Sequence, residues 1–182
     1  MRPCVHFNFR LQLREDDTEI VIDGGDNGIV SVAGRLDASG TGAGETGGTV
    51  KVLGEKVGLM AGGSIDVSGD AGGGNVRFGG DYQGKGPDAN AQMAYVDQNA
   101  SIMANAINSG AGGNVIVWSD LYTRMDGDIS VRGVSAGGFI ETSGHRALVV
   151  DGRPDDNRRV CCSHAEDRKS TRLNSSHGYI SY

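Results

Sequence analysis

Gly112-Gly113-Asn114-Val115-Ile116-Val117-Trp118 opens on a glycine pair and runs on as a short stretch suited to a pleated strand. The chain repeats this unit as Gly47-Gly48-Thr49-Val50-Lys51-Val52-Leu53, Gly73-Gly74-Asn75-Val76-Arg77-Phe78-Gly79 and Gly137-Gly138-Phe139-Ile140-Glu141-Thr142-Ser143. Alternate positions agree: Val50/Val52, Val76/Phe78, Val115/Val117 and Ile140/Thr142. A second unit precedes each glycine pair: Gly34-Arg35-Leu36-Asp37-Ala38-Ser39-Gly40, Gly63-Ser64-Ile65-Asp66-Val67-Ser68-Gly69, Ala100-Ser101-Ile102-Met103-Ala104-Asn105-Ala106 and Gly127-Asp128-Ile129-Ser130-Val131-Arg132-Gly133. These units start 29, 37 and 27 residues apart (34 to 63, 63 to 100, 100 to 127). A strand, a glycine corner, a second strand, another corner and a less regular third strand make one coil. The third strands are expected near residues 56–61, 94–97 and 121–125. An internal repeat of this kind predicts an all-β, right-handed parallel β-helix of about four coils, each of three short strands.

Composition agrees. Glycine supplies 31 of 182 residues and proline only 3, which excludes collagen and proline-rich linkers. Hydrophobic residues make up 37% and aromatic residues 5%, thin for one large globular core but enough for a long, narrow one. A net charge of −6 argues against a nucleic-acid surface. No apolar run approaches the roughly 20 residues needed to span a bilayer, so membrane insertion is not expected. The first residues lack a signal peptide's continuous apolar segment. Cys4, Cys161 and Cys162 all lie outside the repeats, so the coils are expected to hold without disulfides.

Three regions follow. Residues 1–17 read as an irregular N-terminal segment, residues 18–146 as the repeat region, and residues 147–182 as a disordered tail. Residues 79–92 interrupt the second coil. With Pro87 among several Gly and Asp residues, they read as a loop leaving the rod. Nothing in it has a ligand-like spacing, so a plain surface excursion is the simpler reading, although such a loop is where a solenoid would carry any binding.

The run from residue 20 to 145 resembles the β-helical shaft of the filamentous haemagglutinin-type exoproteins, large bacterial adhesins of the two-partner secretion family. The resemblance rests on Ile22-Asp23-Gly24-Gly25-Asp26-Asn27-Gly28, Leu36-Asp37-Ala38-Ser39-Gly40, Gly47-Gly48-Thr49-Val50-Lys51-Val52-Leu53-Gly54, Gly79-Gly80-Asp81-Tyr82-Gln83-Gly84-Lys85-Gly86, Val117-Trp118-Ser119-Asp120 and Ile140-Glu141-Thr142-Ser143-Gly144-His145. It implies a secreted or cell-surface rod with no catalytic residues in the shaft. Its implied partners are an outer-membrane secretion protein, met through an N-terminal domain missing from this sequence, and a host-surface protein or glycan. The stretch from Arg168 to Tyr182 resembles translated sequencing-adapter DNA, which would make the tail an artefact.

Several local patterns invite a sharper chemistry. Gly42-Ala43-Gly44-Glu45-Thr46-Gly47 matches the dinucleotide-binding glycine pattern, but it runs into a strand where that motif opens a helix, so it reads as a corner. Asp37 and Asp66 fall at equivalent positions of neighbouring coils, about 4.8 Å apart and pointing outward. They could hold a cation or act as an acid/base pair. Met103 and Ser130 end that ladder, and no His, Lys or Arg joins it at the same position, so a solvated surface is the simpler reading. Cys161-Cys162-Ser163-His164 lacks a second ligand pair and has the wrong spacing for zinc. Asn99-Ala100-Ser101 is a glycosylation sequon. Trp118 and Tyr122 are too few to form a sugar-stacking platform.

No catalytic, cofactor-binding or metal-binding residues are therefore expected. The sequence predicts a structural and adhesive shaft segment. The alternative is a carbohydrate-active enzyme on the same fold, with Asp37 and Asp66 as its only candidate acids.

Overall fold

The computed structural model describes residues 10–13, 19–151, 154–155 and 160–161. It is a parallel β-solenoid of five turns with three sheets. Turn one comprises β2 (Glu19–Asp23), β3 (Ile29–Val32) and β4 (Arg35–Asp37), and β1 (Arg10–Leu13) precedes it. Turn two comprises β5 (Thr49–Leu53), β6 (Lys56–Leu59) and β7 (Ser64–Asp66). Turn three holds β8 (Asn75–Phe78), β9 (Met93–Val96) and β10 (Ser101–Met103), and turn four β11 (Asn114–Ser119), β12 (Tyr122–Met125) and β13 (Asp128–Ser130). Turn five holds β14 (Phe139–Gly144), β15 (Ala147–Val150) and β16 (Pro154–Asp155), and β17 (Val160–Cys161) follows.

The first strands of each turn stack as β1-β2-β5-β8-β11-β14-β17, the second as β3-β6-β9-β12-β15 and the third as β4-β7-β10-β13-β16. The repeat units align as their sequences do. Val50 pairs with Val76, Val76 with Val115 and Val115 with Ile140, while Leu36, Ile65, Ile102 and Ile129 form one column of the third sheet. These inward residues make the core, with Phe78, Leu59, Ile65 and Ile102 wholly buried. A buried pair of hydroxyls interrupts it. Thr123 stands where other turns place Val57 and Ala94; its hydroxyl lies 2.8 Å from Ser119 Oγ and donates to the Ser143 carbonyl at 2.7 Å. Paired in this way, a buried hydroxyl carries little penalty.

The glycine pairs are explained by crowding rather than by special φ. A Cβ on Gly47, Gly73 or Gly112 would lie 1.7, 2.1 or 1.9 Å from the carbonyl oxygen of Val67, Ala104 or Val131. Those carbonyls accept the amides of Gly74, Gly113 and Gly138 at 2.8, 2.7 and 2.8 Å. Gly74, Gly113 and Gly138 each meet the turn below: a Cβ on any of them would stand 2.0 Å from the carbonyl oxygen of Gly48, Gly74 or Gly113. Successive turns thus approach backbone to backbone at this corner, which only glycine allows.

The structure differs from the sequence reading in several places. There are five turns where four were expected, because turn one has no glycine pair before Glu19 to announce it. Arg10–Leu13, read as irregular, runs antiparallel along β2, with Leu11 opposite Ile22. At the other end the ladders continue past residue 146. Ala147 to Val150 pair with Tyr122 to Met125, and short pairings join Pro154 to Ile129 and Val160 to Ile140. The rest of the expected irregular and disordered ends, including residues 1–9, 14–17, Cys162 and His164, lies outside the described residues, as does residue 18.

Candidate functional site

Residues 79–92 do not leave the rod. Gly79 and Gly80 take positive φ, and the Ala91 amide donates to the Gly79 carbonyl at 2.6 Å, so the two ends of the loop meet. The intervening residues form an Ω-loop. Its first turn, Tyr82–Gly84, is a 3₁₀ turn capped by Asp81, whose Oδ1 accepts the Tyr82 amide at 2.7 Å. The loop lies against the outward side of the seven-stranded sheet, in a phase set by strand alternation. Lys51, Arg77, Ile116 and Glu141 occupy one outward column there, each in register with the next.

Each of these rungs meets the loop or its surroundings. Lys51 Nζ lies 3.4 Å from Asp88 Oδ2 and 3.6 Å from Glu19 Oε1. Arg77 pairs with Asp81. Trp118, on β11, packs so closely on the loop that a Cβ at Gly84 would lie 2.7 Å from its ring. Its indole N–H donates to Asp120 Oδ1 at 3.1 Å, and Asn90 Nδ2 donates to the same oxygen at 3.2 Å. On β14, the Gln83 amide sits 3.3 Å from both carboxyl oxygens of Glu141, and Ser143 Oγ donates to Glu141 Oε1 at 3.1 Å. Glu141 is only 1% exposed. Tyr82 meets Phe139 edge to face, with centroids 5.8 Å apart.

Beside the loop a cavity of about 220 Å³ opens over Asn75, Asn114, Arg77, Ile116, Tyr82 and Phe139. Asn114 Nδ2 donates to Asn75 Oδ1 at 2.9 Å. The ionisable groups in its lining are Arg77 and Asp81, which are paired with each other, and Tyr82. That lining contains no nucleophile standing beside a free base.

Asp37 and Asp66 are direct partners across β4 and β7, as their spacing implies. What the sequence reading missed is Arg35, two residues away on the same outward side. Its Nη2 lies 2.9 Å from Asp37 Oδ2 and 3.1 Å from Asp66 Oδ2. Each aspartate also closes a local turn: Asp37 Oδ1 accepts the Ser39 hydroxyl at 2.6 Å and amide at 3.1 Å, and Asp66 Oδ1 accepts the Ser68 amide at 3.0 Å. The Ser39 hydrogen bonds, with a smaller contribution from Arg35, hold the Asp37 carboxyl below its usual range. A general acid needs the opposite shift.

The other candidates fall apart in space. Gly42 to Gly47 form a corner in which Glu45 Oε2 accepts the Gly42 amide at 2.8 Å, and the chain then enters β5 with no helix. Asn99 is exposed at the corner between β9 and β10. Trp118 and Tyr122 lie on different sheets. Of the cysteine cluster only the Cys161 backbone is described. Among the described residues no group of three or more His, Cys, Asp or Glu side chains is placed to hold a metal ion. Glu141 and Arg77 escaped sequence reasoning because the strand pattern marks outward positions as solvent. The signal available was the insertion's own glycines at 79, 80, 84 and 86, dense enough to suggest close packing rather than a free loop.

No protein-family model matches the chain, and no curated protein matches it. Among solved structures, it is similar to the crystal structure of the HMW1 secretion domain from Haemophilus influenzae, with a TM-score of 0.70 and 29% sequence identity. The likeness covers 83% of this chain and 41% of that one. The likeness therefore spans about two fifths of the length of that structure.

Proposed function

We propose that this chain is a structural β-solenoid segment of an exported bacterial protein, of the kind found in two-partner secretion modules, and that it works by shape rather than by chemistry. The observation carrying this reading is the likeness to the HMW1 secretion domain at 29% identity over 83% of the chain. The shaft role read from the sequence is compatible with it, with one refinement. The sequence placed contact with the outer-membrane partner in a separate, missing domain; in the present reading that contact belongs to the solenoid described here. Adhesive contact with a host surface is the outermost part of the proposal. The carbohydrate-active alternative is disfavoured by Arg35, which bridges the Asp37/Asp66 pair and offsets one of its two charges, and by the downward shift at Asp37.

A graft tests this. Residues 19–151 replace the matched part of the HMW1 secretion domain, and release into the medium is measured with and without that system's outer-membrane partner. Partner-dependent release is the expected result. A graft that resists protease in the periplasm yet is never released would overturn the reading.

A further inference from the structure

We propose that the loop at residues 79–92 is a clasp that couples turns two to five, which a solenoid would otherwise join only neighbour by neighbour. In a repeat stack each turn contacts the next, and energetic effects decay along the axis. The loop breaks that rule by its attachments. It springs from turn three, where Arg77 holds Asp81. It reaches back one rung to Lys51 through Asp88, and forward one rung to Trp118, which lies beneath Gly80 and Gly84. It ends two rungs forward, with Gln83 on Glu141 and Tyr82 on Phe139. At about 4.8 Å per rung, the contacts on turns two and five are separated by roughly 14 Å.

The clasp has a sequence in time. Its anchors on β11 and β14 do not exist until turns four and five have wound, so the loop closes after the turns that follow it in the chain. Gln83 shows how far closure departs from the loop's own preference: it holds φ +54, the one non-glycine residue with positive φ among those described. That conformation is disfavoured for an L-residue and persists where the surroundings enforce it. Enforcement here comes from turn five, through the Gln83 amide and the Tyr82 ring. The loop is also separable: its ends are joined by the Ala91-to-Gly79 hydrogen bond, so excision leaves β8 and β9 connected. The proposal is independent of the export reading, because it concerns coupling within the rod.

Amide exchange in the full chain tests it, with the Gln83, Gly84 and Lys85 amides reporting opening. Lys51→Met removes the loop's anchor on turn two, together with the Glu19 pairing on turn one, at a half-buried side chain outside the core. Sites this far apart ordinarily add to within about 0.3–0.5 kcal/mol, roughly a twofold change. The clasp predicts that Lys51→Met speeds exchange at the Gln83 amide threefold or more, although that amide rests on turn five. Glu141→Gln should in turn loosen the Lys51–Asp88 pairing, read as a changed NMR shift at Lys51 Nζ. With residues 81–90 excised, the Glu141→Gln response at Lys51 should vanish. Unchanged exchange at Gln83 in Lys51→Met, or a Lys51 response that survives excision, would overturn the proposal. So would exchange of Gln83 at the free-peptide rate in the unmodified chain.

Discussion

Two acidic regions of this rod sit on the outward side of their sheets and have opposite fates. On the third sheet, Asp37 stays exposed and Asp66 stays partly open to solvent, both satisfied by Arg35 and by the backbone of their own turns. On the first sheet, Glu141 has the same outward phase yet is buried beneath an insertion that starts more than fifty residues earlier. Strand alternation gives the direction of a side chain but not whether something will later cover it. An acidic residue in outward phase is therefore ambiguous in a way that an inward valine is not.

Truncation should separate the two regions most sharply. Glu141→Ala removes the acceptor for both Gln83 N–H and Ser143 Oγ and opens a gap under the loop. It is expected to cost about 3 kcal/mol. Asp37→Ala removes one arm of a surface ion pair and is expected to cost no more than about 1 kcal/mol. Chemical denaturation of both variants checks this, and equal costs would break the distinction. A smaller effect probes the same burial from the loop's side. Gly84 holds φ +63 against the Trp118 ring. Gly84→Ala should cost about 1–2 kcal/mol for the left-handed conformation alone, and the intrinsic fluorescence of Trp118 should shift as its ring is displaced.

The repeat was legible because it is written twice over, in inward aliphatic columns and in glycine pairs. Val50, Val76, Val115 and Ile140 fall in one column, as alignment of their units implies. The glycines mark the corner where backbone meets backbone, so they are as regular as the packing that demands them. Turn one was undercounted for lack of that mark. β15 was missed because Ala147-Leu148-Val149-Val150 shows no alternation of apolar and polar residues, and its pairing with β12 is supplied by the stack rather than by its own pattern. The candidate site was less legible still. Glu141, Arg77 and Lys51 are drawn together by a loop whose path depends on Trp118 and Phe139, and no local spacing encodes that. The Asp37/Asp66 register was read correctly, but Arg35 was overlooked because it sits two residues off the matched position.

Acid should act on the surface region in a predictable direction. The carboxyls of Asp37, Asp70 and Asp97 are all held below the ordinary value of 3.8. For Asp37 the Ser39 hydrogen bonds lead, for Asp70 the Gly44 amide, and for Asp97 the Asn99 amide. A group whose folded pKa lies below its unfolded one contributes stability that is present above about pH 3.8 and lost as pH falls through the folded value. The denaturation midpoint should accordingly hold from neutral pH to about 5 and fall below about 4. A midpoint that rises on acidification would contradict the assignment.

The smallest effect distinguishes what holds Asp37. Two mechanisms lower its pKa, hydrogen bonds from Ser39 and the charge of Arg35, and they differ in reach. The Ser39 hydroxyl is 2.6 Å from Oδ1, a short donor contact to one oxygen, whereas the Arg35 guanidinium is shared with Asp66 and open to solvent. Water screens an exposed charge more effectively than it replaces a well-placed donor. Ser39→Ala should therefore raise the Asp37 pKa further towards 3.8 than Arg35→Ala does, while changing stability by well under about 1 kcal/mol. Carboxyl-carbon NMR titration of the two variants reads this directly. The Ser39→Ala shift should also persist in high salt, and the Arg35→Ala shift should shrink. If the order were reversed, the corner would be governed by charge, and Asp37 and Asp66 would regain their standing as an electrostatic pair rather than two local turn caps.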